Sequence, residues 1–408
     1  MKQAAVYLAY QEALDACSPA RLLKAHIKLT GDQLYLAGKT FKPGAGKPLK
    51  VVAAGKAAAL MAAETAAIAG EWMSEGLVIA KHGHGVPLRH FHYKEAGHPI
   101  PDQHSIAAAE ALVEFATRTR RDDLLLLLIS GGTSALITDI PPGCTLEEIQ
   151  KVNVLLTQSG CTINETNIVR KHLSTIKGGQ LLRYINATTV VALLVSDVPG
   201  DDPGVIGSGL VAADSSTYKD AIAIIRRYGL SDHMPAAIMN YLAEGVRKRH
   251  PETIRPRDPL LKKVTQKIIA GNALAIAAAK TRLLQEGYFV TDQAADLNGD
   301  TLSKAKEISR VLINSSERLP AAFVWGGEST LRVTGKGKGG RNQHMALALL
   351  YELKKLNTVN RKISILCAGT DGTDGPTDAA GALVTDDLIK NPALRPETIK
   401  EYLDNFDS

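Results

Sequence analysis

Several short stretches of this chain set glycine beside the residue types that handle phosphate, protons and divalent cations. The richest is Ile363 to Gly381, where Thr370, Asp371, Thr373, Asp374, Thr377 and Asp378 recur around Gly372, Gly375 and Pro376. Carboxylates with water hold Mg2+, and glycine lets backbone N–H groups approach phosphate oxygens. A solvated surface turn has the same composition. Asp371, Asp374 and Asp378 are therefore candidate metal ligands, and Thr370, Asp371 and Thr373 candidate nucleotide contacts. Gly55-Lys56 ends an apolar run and opens a helix, which would aim Lys56 at an anion bound there; a plain surface lysine would look the same. No G-x-x-x-x-G-K-[ST] occurs, so this is not a Walker A loop. Ser130, Gly131, Gly132, Thr133 and Ser134 form a strand-to-helix turn rich in donors, either a phosphate cradle or an ordinary N-cap.

Gly335-Lys336-Gly337-Lys338-Gly339-Gly340-Arg341 matches G-x-G-x-x-G formally. Only a very short strand, Leu331 to Val333, precedes it. No acid lies about 20 residues beyond, where a dinucleotide site needs one. Two lysines and an arginine among Gly337, Gly339 and Gly340 suit a phosphate clamp better, with Arg341 able to hold a carboxylate or phosphate through two parallel hydrogen bonds. Asp197 and Glu328 are strand-end carboxylates that could bind Mg2+ or accept a proton, or simply cap a helix or pair with a cation. His82, His84, His90, His92, His98 and His104 crowd one stretch without the Cys spacing of a structural zinc site.

These residues need elements to hold them. Apolar runs at Val51–Ala54, Leu124–Ile129, Val190–Val195, Ile268–Ala270, Ala321–Trp325 and Ile363–Ala368 each lead into one of the turns above or its like. Near-continuous apolar strands alternating with Ala-rich helices indicate an α/β fold with parallel strands covered on both faces. In such sheets ligands bind beyond the carboxyl ends of the strands, and all six turns fall there. Met1 to Ala25 reads as an amphipathic helix, and Thr30 to Lys50 as a loop or irregular hairpin. The charged, proline-bearing run Arg247 to Asp258 reads as a linker, which divides the chain into domains 1–246 and 247–408.

Composition narrows the function. The 408 residues are 45% hydrophobic and 5% aromatic, with a formal charge of +6 spread along the chain. Nucleic-acid binding would ask for a clustered basic stripe with aromatics, and none is seen; attraction of an anionic metabolite fits. No apolar run reaches the roughly 18 residues that span a bilayer. Cys17, Cys144, Cys161 and Cys367 lack C-x-x-C spacing and read as reduced thiols, so a cytoplasmic location is expected.

Taken together, the motifs resemble the glycerate 2-kinase family, whose C-terminal part is called the MOFRL domain. The resemblance rests on Ala54-Gly55-Lys56-Ala57, Gly97-His98-Pro99-Ile100-Pro101-Asp102, Ser130 to Ser134, Val169 to Ser174 with Lys177-Gly178-Gly179, Ser196 to Pro203, Gly326 to Thr330, Gly339 to Gln343 and Gly369 to Asp378, in that order along most of the chain. It implies a Rossmann-like N-terminal domain, a smaller α/β C-terminal domain, and an active site in the cleft. It also implies transfer of a phosphoryl group from ATP to the 2-hydroxyl of D-glycerate with a divalent metal, Mg2+, and Lys56 and Arg341 as catalytic residues. Asp197 is the expected proton acceptor. Some members carry a hydroxypyruvate reductase label, so a nicotinamide-dependent reductase and a non-catalytic nucleotide- or anion-binding module are the alternatives. The oligomeric state stays open, a homo-oligomer included. His344 stands where the family has Glu, and Leu210 and Ala213 where it has Pro. Family members continue beyond Ser408 through a glycine-rich stretch, so part of the C-terminal domain is expected to be missing.

Overall fold

A computed structural model describes residues 2–42, 49–291, 295–315, 318–356 and 362–408. It divides into two compact units: Pro19–Gly271, and Met1–Ser18 together with Asn272–Ser408.

The first unit is built on six parallel strands: β1 (Leu49–Ala54), β2 (Met73–Lys81), β3 (Phe91–Ala96), β4 (Leu124–Ile129), β5 (Thr189–Val195) and β6 (Val264–Ala270). Their order is β3-β2-β1-β4-β5-β6, the doubly wound Rossmann arrangement expected from the sequence. Composition explains the order. The central strand β4 is Leu-Leu-Leu-Leu-Leu-Ile and buried throughout, as a strand covered on both faces must be. β3, at one edge, is Phe-His-Tyr-Lys-Glu-Ala, buried only at its ends. Such polar alternation hides β3, and the first half of β2, from a search for apolar runs. The sheet core joins Val52, Ile79, Leu125 and Leu127 to Leu112 and Phe115 of the helix Gln103–Thr117 and to Leu181 and Leu182.

Two expectations change here. Arg247–Asp258 is not a free linker. Thr253 and Ile254 are buried, and Ile254 is tied by Ile254 N–H to Gly178 O (2.9 Å) and Asp214 N–H to Ile254 O (2.8 Å). The chain then adds β6 to the sheet beside β5, so the compact unit ends at Gly271 rather than at 246. The segment 27–41 is a regular three-stranded antiparallel meander, Ile27–Thr30, Gln33–Leu36 and Lys39–Phe41; the part of the expected loop at 43–48 lies outside the described residues.

In the second unit, α1 (Lys2–Ala16) packs Ala5, Ala9 and Ala13 against Ala279 and Leu283 of α2 (Asn272–Gln285). The expected helix Met1–Ala25 is therefore two helices in two units, broken before Pro19, which opens the helix Pro19–His26. Proline lacks the N–H that would continue a helix and suits a first turn. The helix α3 (Arg341–Lys355) is the centre of this unit's core, with Met345, Leu349 and Leu353 against Ile308 and Val384. Strand β7 (Ser364–Ala368) pairs antiparallel with β8 (Gly381–Thr385), not parallel, because the chain turns straight back through the Asp/Thr loop. The expected strand Ala321–Trp325 is two short pieces, Ala321–Ala322 and Trp325–Gly326, each paired in parallel with a two-residue partner.

Candidate active site

In the first unit the strand order reverses between β1 and β4, the switch point where an open α/β sheet accepts ligands. The two turns that leave these strands are bonded to each other. Lys56 N–H donates to Gly131 O (2.9 Å), and Ser130 N–H to Ala54 O (2.9 Å). Ala57 N–H donates to Ser130 Oγ (3.1 Å). The buried Thr133 hydroxyl donates to Ser130 O (2.7 Å), with Ala54 O also in reach at 3.0 Å. Gly55 has φ +119° and faces Ser130 so closely that a Cβ would overlap its backbone; no other residue could occupy this position without strain. Lys56 is exposed at the end of this clamp.

The candidate residues sort by what they touch. The hydroxyls of Ser130 and Thr133 are buried and committed to the clamp, so the expected nucleotide contacts from these side chains give way to an architectural role. Gly131 and Gly132 are half-buried. A Cβ on Gly131 would strike the Asp197 carboxylate, and one on Gly132 would lie 2.9 Å from His98 Cδ2 and 3.3 Å from Lys56 Cγ. Lys56, His98, Asp197 and the two glycine backbones thus meet at one place. Ser134 Oγ shares a hydrogen bond with Ser208 Oγ (2.7 Å), and Ser208 Oγ donates to Asn167 Oδ1 (3.1 Å). His98 entered the sequence reading only within a motif and a histidine-rich stretch. Ser208 and Asn167 carried no signal, because they reach the site from the turn after β5 and from the helix Ile163–His172.

In the second unit, Asp374 differs from expectation. Its carboxylate is 3% exposed and accepts from Asn342 N–H (3.1 Å), Asn342 Nδ2 (3.0 Å), Gln343 N–H (2.8 Å) and Gln343 Nε2 (3.2 Å). It caps α3 from a distance, filling two of the donors every helix start leaves unpaired, and is spent before a metal could use it. Asp371 and Asp378, with Thr370 and Thr373, are exposed on the same loop. Arg341, the first residue of α3, pairs with Glu328 at 2.6 Å, both partly exposed. Thus Glu328 is placed to orient Arg341. The glycine loop has a local explanation: a Cβ on Gly335, Gly337 or Gly339 would collide with Asn405, Asp407 or Ser408 in turn, and one on Gly340 with Asp374. Lys336 and Lys338 point to solvent.

His344 is buried with both ring nitrogens unpartnered and stacks on Phe406 at 5.2 Å; burial holds its pKa below the ordinary value. None of the four cysteines is in a disulfide. No helix among the described residues is long and apolar enough to cross a membrane.

The fold is that of a Rossmann-like α/β protein, with the candidate site at the carboxyl edge of its parallel sheet. Residues 5–243 match a domain of unknown function, DUF4147, and residues 321–408 match the MOFRL family. A glycerate 2-kinase of Pyrococcus horikoshii is 36% identical over 97% of this chain and 89% of its own length. A protein of Agrobacterium vitis bearing a hydroxypyruvate reductase name is 38% identical over 83% of this chain and 76% of its own. The crystal structure of a Thermotoga maritima glycerate kinase superposes with a TM-score of 0.78 at 31% identity, covering 99% of this chain and 91% of that one. The chain belongs to the MOFRL-domain glycerate 2-kinase family.

Proposed function

We propose that this protein transfers the γ-phosphoryl group of ATP to the 2-hydroxyl of D-glycerate, giving 2-phosphoglycerate. The observation that carries this reading is the meeting of Lys56, Asp197 and the Gly131-Gly132 backbone at the switch point, in a chain of this family. Phosphoryl transfer asks a protein mainly for positioning and charge neutralisation. Lys56 neutralises charge on the transferred group, and Arg341, held by Glu328, supplies the second cation. Gly131, Gly132 and Ser134 offer backbone contacts to phosphate. Asp197 takes the proton as the 2-hydroxyl attacks phosphorus and the bond to the ADP oxygen breaks. Thr370 and Thr373 are exposed hydroxyls suited to the nucleotide. The carboxylates of Asp371 and Asp378 fit a hard cation, since Mg2+ takes oxygen ligands. Bound there, Mg2+ would offset phosphate charge.

A reductase fits less well. The turn after β1 carries Gly55-Lys56-Ala57 instead of the dinucleotide fingerprint, and the one glycine-rich match packs against residues 405–408. The test is to incubate the full chain with D-glycerate, ATP and Mg2+ and identify the product by phosphorus NMR. The expected product is 2-phosphoglycerate. Formation of 3-phosphoglycerate alone would overturn the assigned geometry, and neither product, with NADH-dependent loss of hydroxypyruvate instead, would overturn the kinase reading.

A further inference from the structure

At the same carboxyl edge of the sheet, outside the cluster above, three donors from separate segments converge. His82 follows the last residue of β2. Asp102 is the N-cap of the helix Gln103–Thr117, and His104 lies in that helix's first turn. His82 Nε2 is 2.8 Å and His104 Nδ1 3.5 Å from the same oxygen, Asp102 Oδ2. All three donor atoms lie within 4.8 Å of one another, and the two rings meet edge to face at 5.1 Å. We propose that His82, Asp102 and His104 form a binding site for a divalent transition metal of the zinc kind.

Geometry and support both favour this. Zinc bonds of about 2.0–2.1 Å in a tetrahedral site place neighbouring donors about 3.4 Å apart, and the imidazole nitrogens stand 2.8 and 3.5 Å from Asp102 Oδ2. Asp102 Oδ2 is left for the imidazoles because Oδ1 is already filled: it accepts from Gly97 N–H (3.1 Å), Ser105 N–H (3.0 Å) and Ser105 Oγ (3.2 Å). Such outer hydrogen bonds orient a ligating carboxylate. The turn bearing His82 is itself pinned, since Glu95 accepts from Gly83 N–H and Gly85 N–H. The side chains of His82, Asp102 and His104 are 47%, 37% and 69% exposed, so an ion can enter and water can complete its shell. Two imidazoles and one carboxylate suit zinc, cobalt or nickel, whereas Mg2+ prefers oxygen alone; the site is thus chemically separate from the kinase cation. A bound ion would lock the end of β2 to the start of the helix. The loop between Gly97 and Asp102, which carries His98 to Gly132, would be closed by it. Zinc competes with protons for imidazole, so binding weakens on acidification.

The full chain, freed of metal by chelator, is titrated with ZnCl2 by calorimetry and with CoCl2 by visible absorption. One equivalent is expected, with the absorption of a low-coordinate cobalt site and a rise in melting temperature on adding zinc. His82→Ala and His104→Ala abolish all three signals. His92→Ala, at the amino end of β3, keeps them. Equal binding by the His82 and His104 variants, silence at millimolar metal, or displacement of zinc by equimolar Mg2+ would overturn the proposal. No readout depends on phosphoryl transfer, so failure of the kinase reading would leave the result interpretable.

Discussion

Asp374→Ala separates two roles for one carboxylate. As the remote cap of α3 it loses four hydrogen bonds, two of them from the backbone N–H groups of the half-buried Asn342 and Gln343. A helix cap is worth about 0.5–2 kcal/mol, and stranding a buried donor costs about 1–3 kcal/mol. With Asp374 3% exposed, water replaces it poorly, and the sum is about 2–5 kcal/mol. Asp374→Asn keeps one acceptor and should cost about 1–2 kcal/mol. The chain has two tryptophans, so a Trp72→Phe background leaves Trp325, which packs in the α3 core, as the reporter. Urea unfolding followed at Trp325 gives the cost directly. Turnover should fall in step, because Arg341 begins the helix that frays, while the Mg2+ concentration for half-maximal rate stays near the parent's. If Asp374→Ala instead unfolds within about 0.5 kcal/mol of the parent and needs at least about ten times more Mg2+, the carboxylate is a metal ligand and the capping argument fails.

Lys56→Ala should lower turnover by about 10^3-fold, the scale of a lost charge in phosphoryl transfer. Its melting curve should be unchanged because Lys56 is exposed; a near-normal rate in a folded variant would remove Lys56 from the mechanism. Gly131→Ala pushes a methyl group into the Asp197 carboxylate, so steady-state kinetics should show at least a roughly tenfold fall in kcat with little change in unfolding. An unaltered kcat would mean that the position of Asp197 is immaterial. Lys177 is buried, and that burial, with Arg170 adding and Asp139 opposing, pushes its pKa down from 10.5 to about 8. Below pH 8 both folded and unfolded chains carry this charge, and the folded one bears a cost on the order of 3 kcal/mol. Between pH 8 and 10.5 the unfolded chain holds more protons, so wild-type stability rises with pH relative to Lys177→Met. Denaturant unfolding should find Lys177→Met the more stable at pH 7, with the gap closing towards pH 10.5; a gap independent of pH would refute this.

Much of the first unit was legible. Apolar runs such as Leu124–Ile129 declare strands covered on both faces, and a glycine followed by Lys56 or Thr133 declares a turn at a strand end. These are local properties, set by the side chains of a few consecutive residues. Edge strand β3 was not legible, because its exposed face carries His92 and Lys94, and the half-buried Glu95 breaks the opposite one. The domain boundary was missed for a related reason: charge in Arg247–Asp258 looks like solvent exposure, yet Ile254 within it is buried. Around the site, residue types pointed to the Asp/Thr loop and the glycine loop as phosphate or metal binders. Only tertiary structure assigned Asp374 to a helix cap, the Ser130 and Thr133 hydroxyls to a clamp, and Gly335–Gly339 to close packing with residues 405–408. It also gathered His82, Asp102 and His104 from a crowd of six histidines. The sequence by itself determined which groups are available and which turns can bend. What each group meets depends on chain segments tens to hundreds of residues away, and that is decided when buried apolar faces bring those segments together.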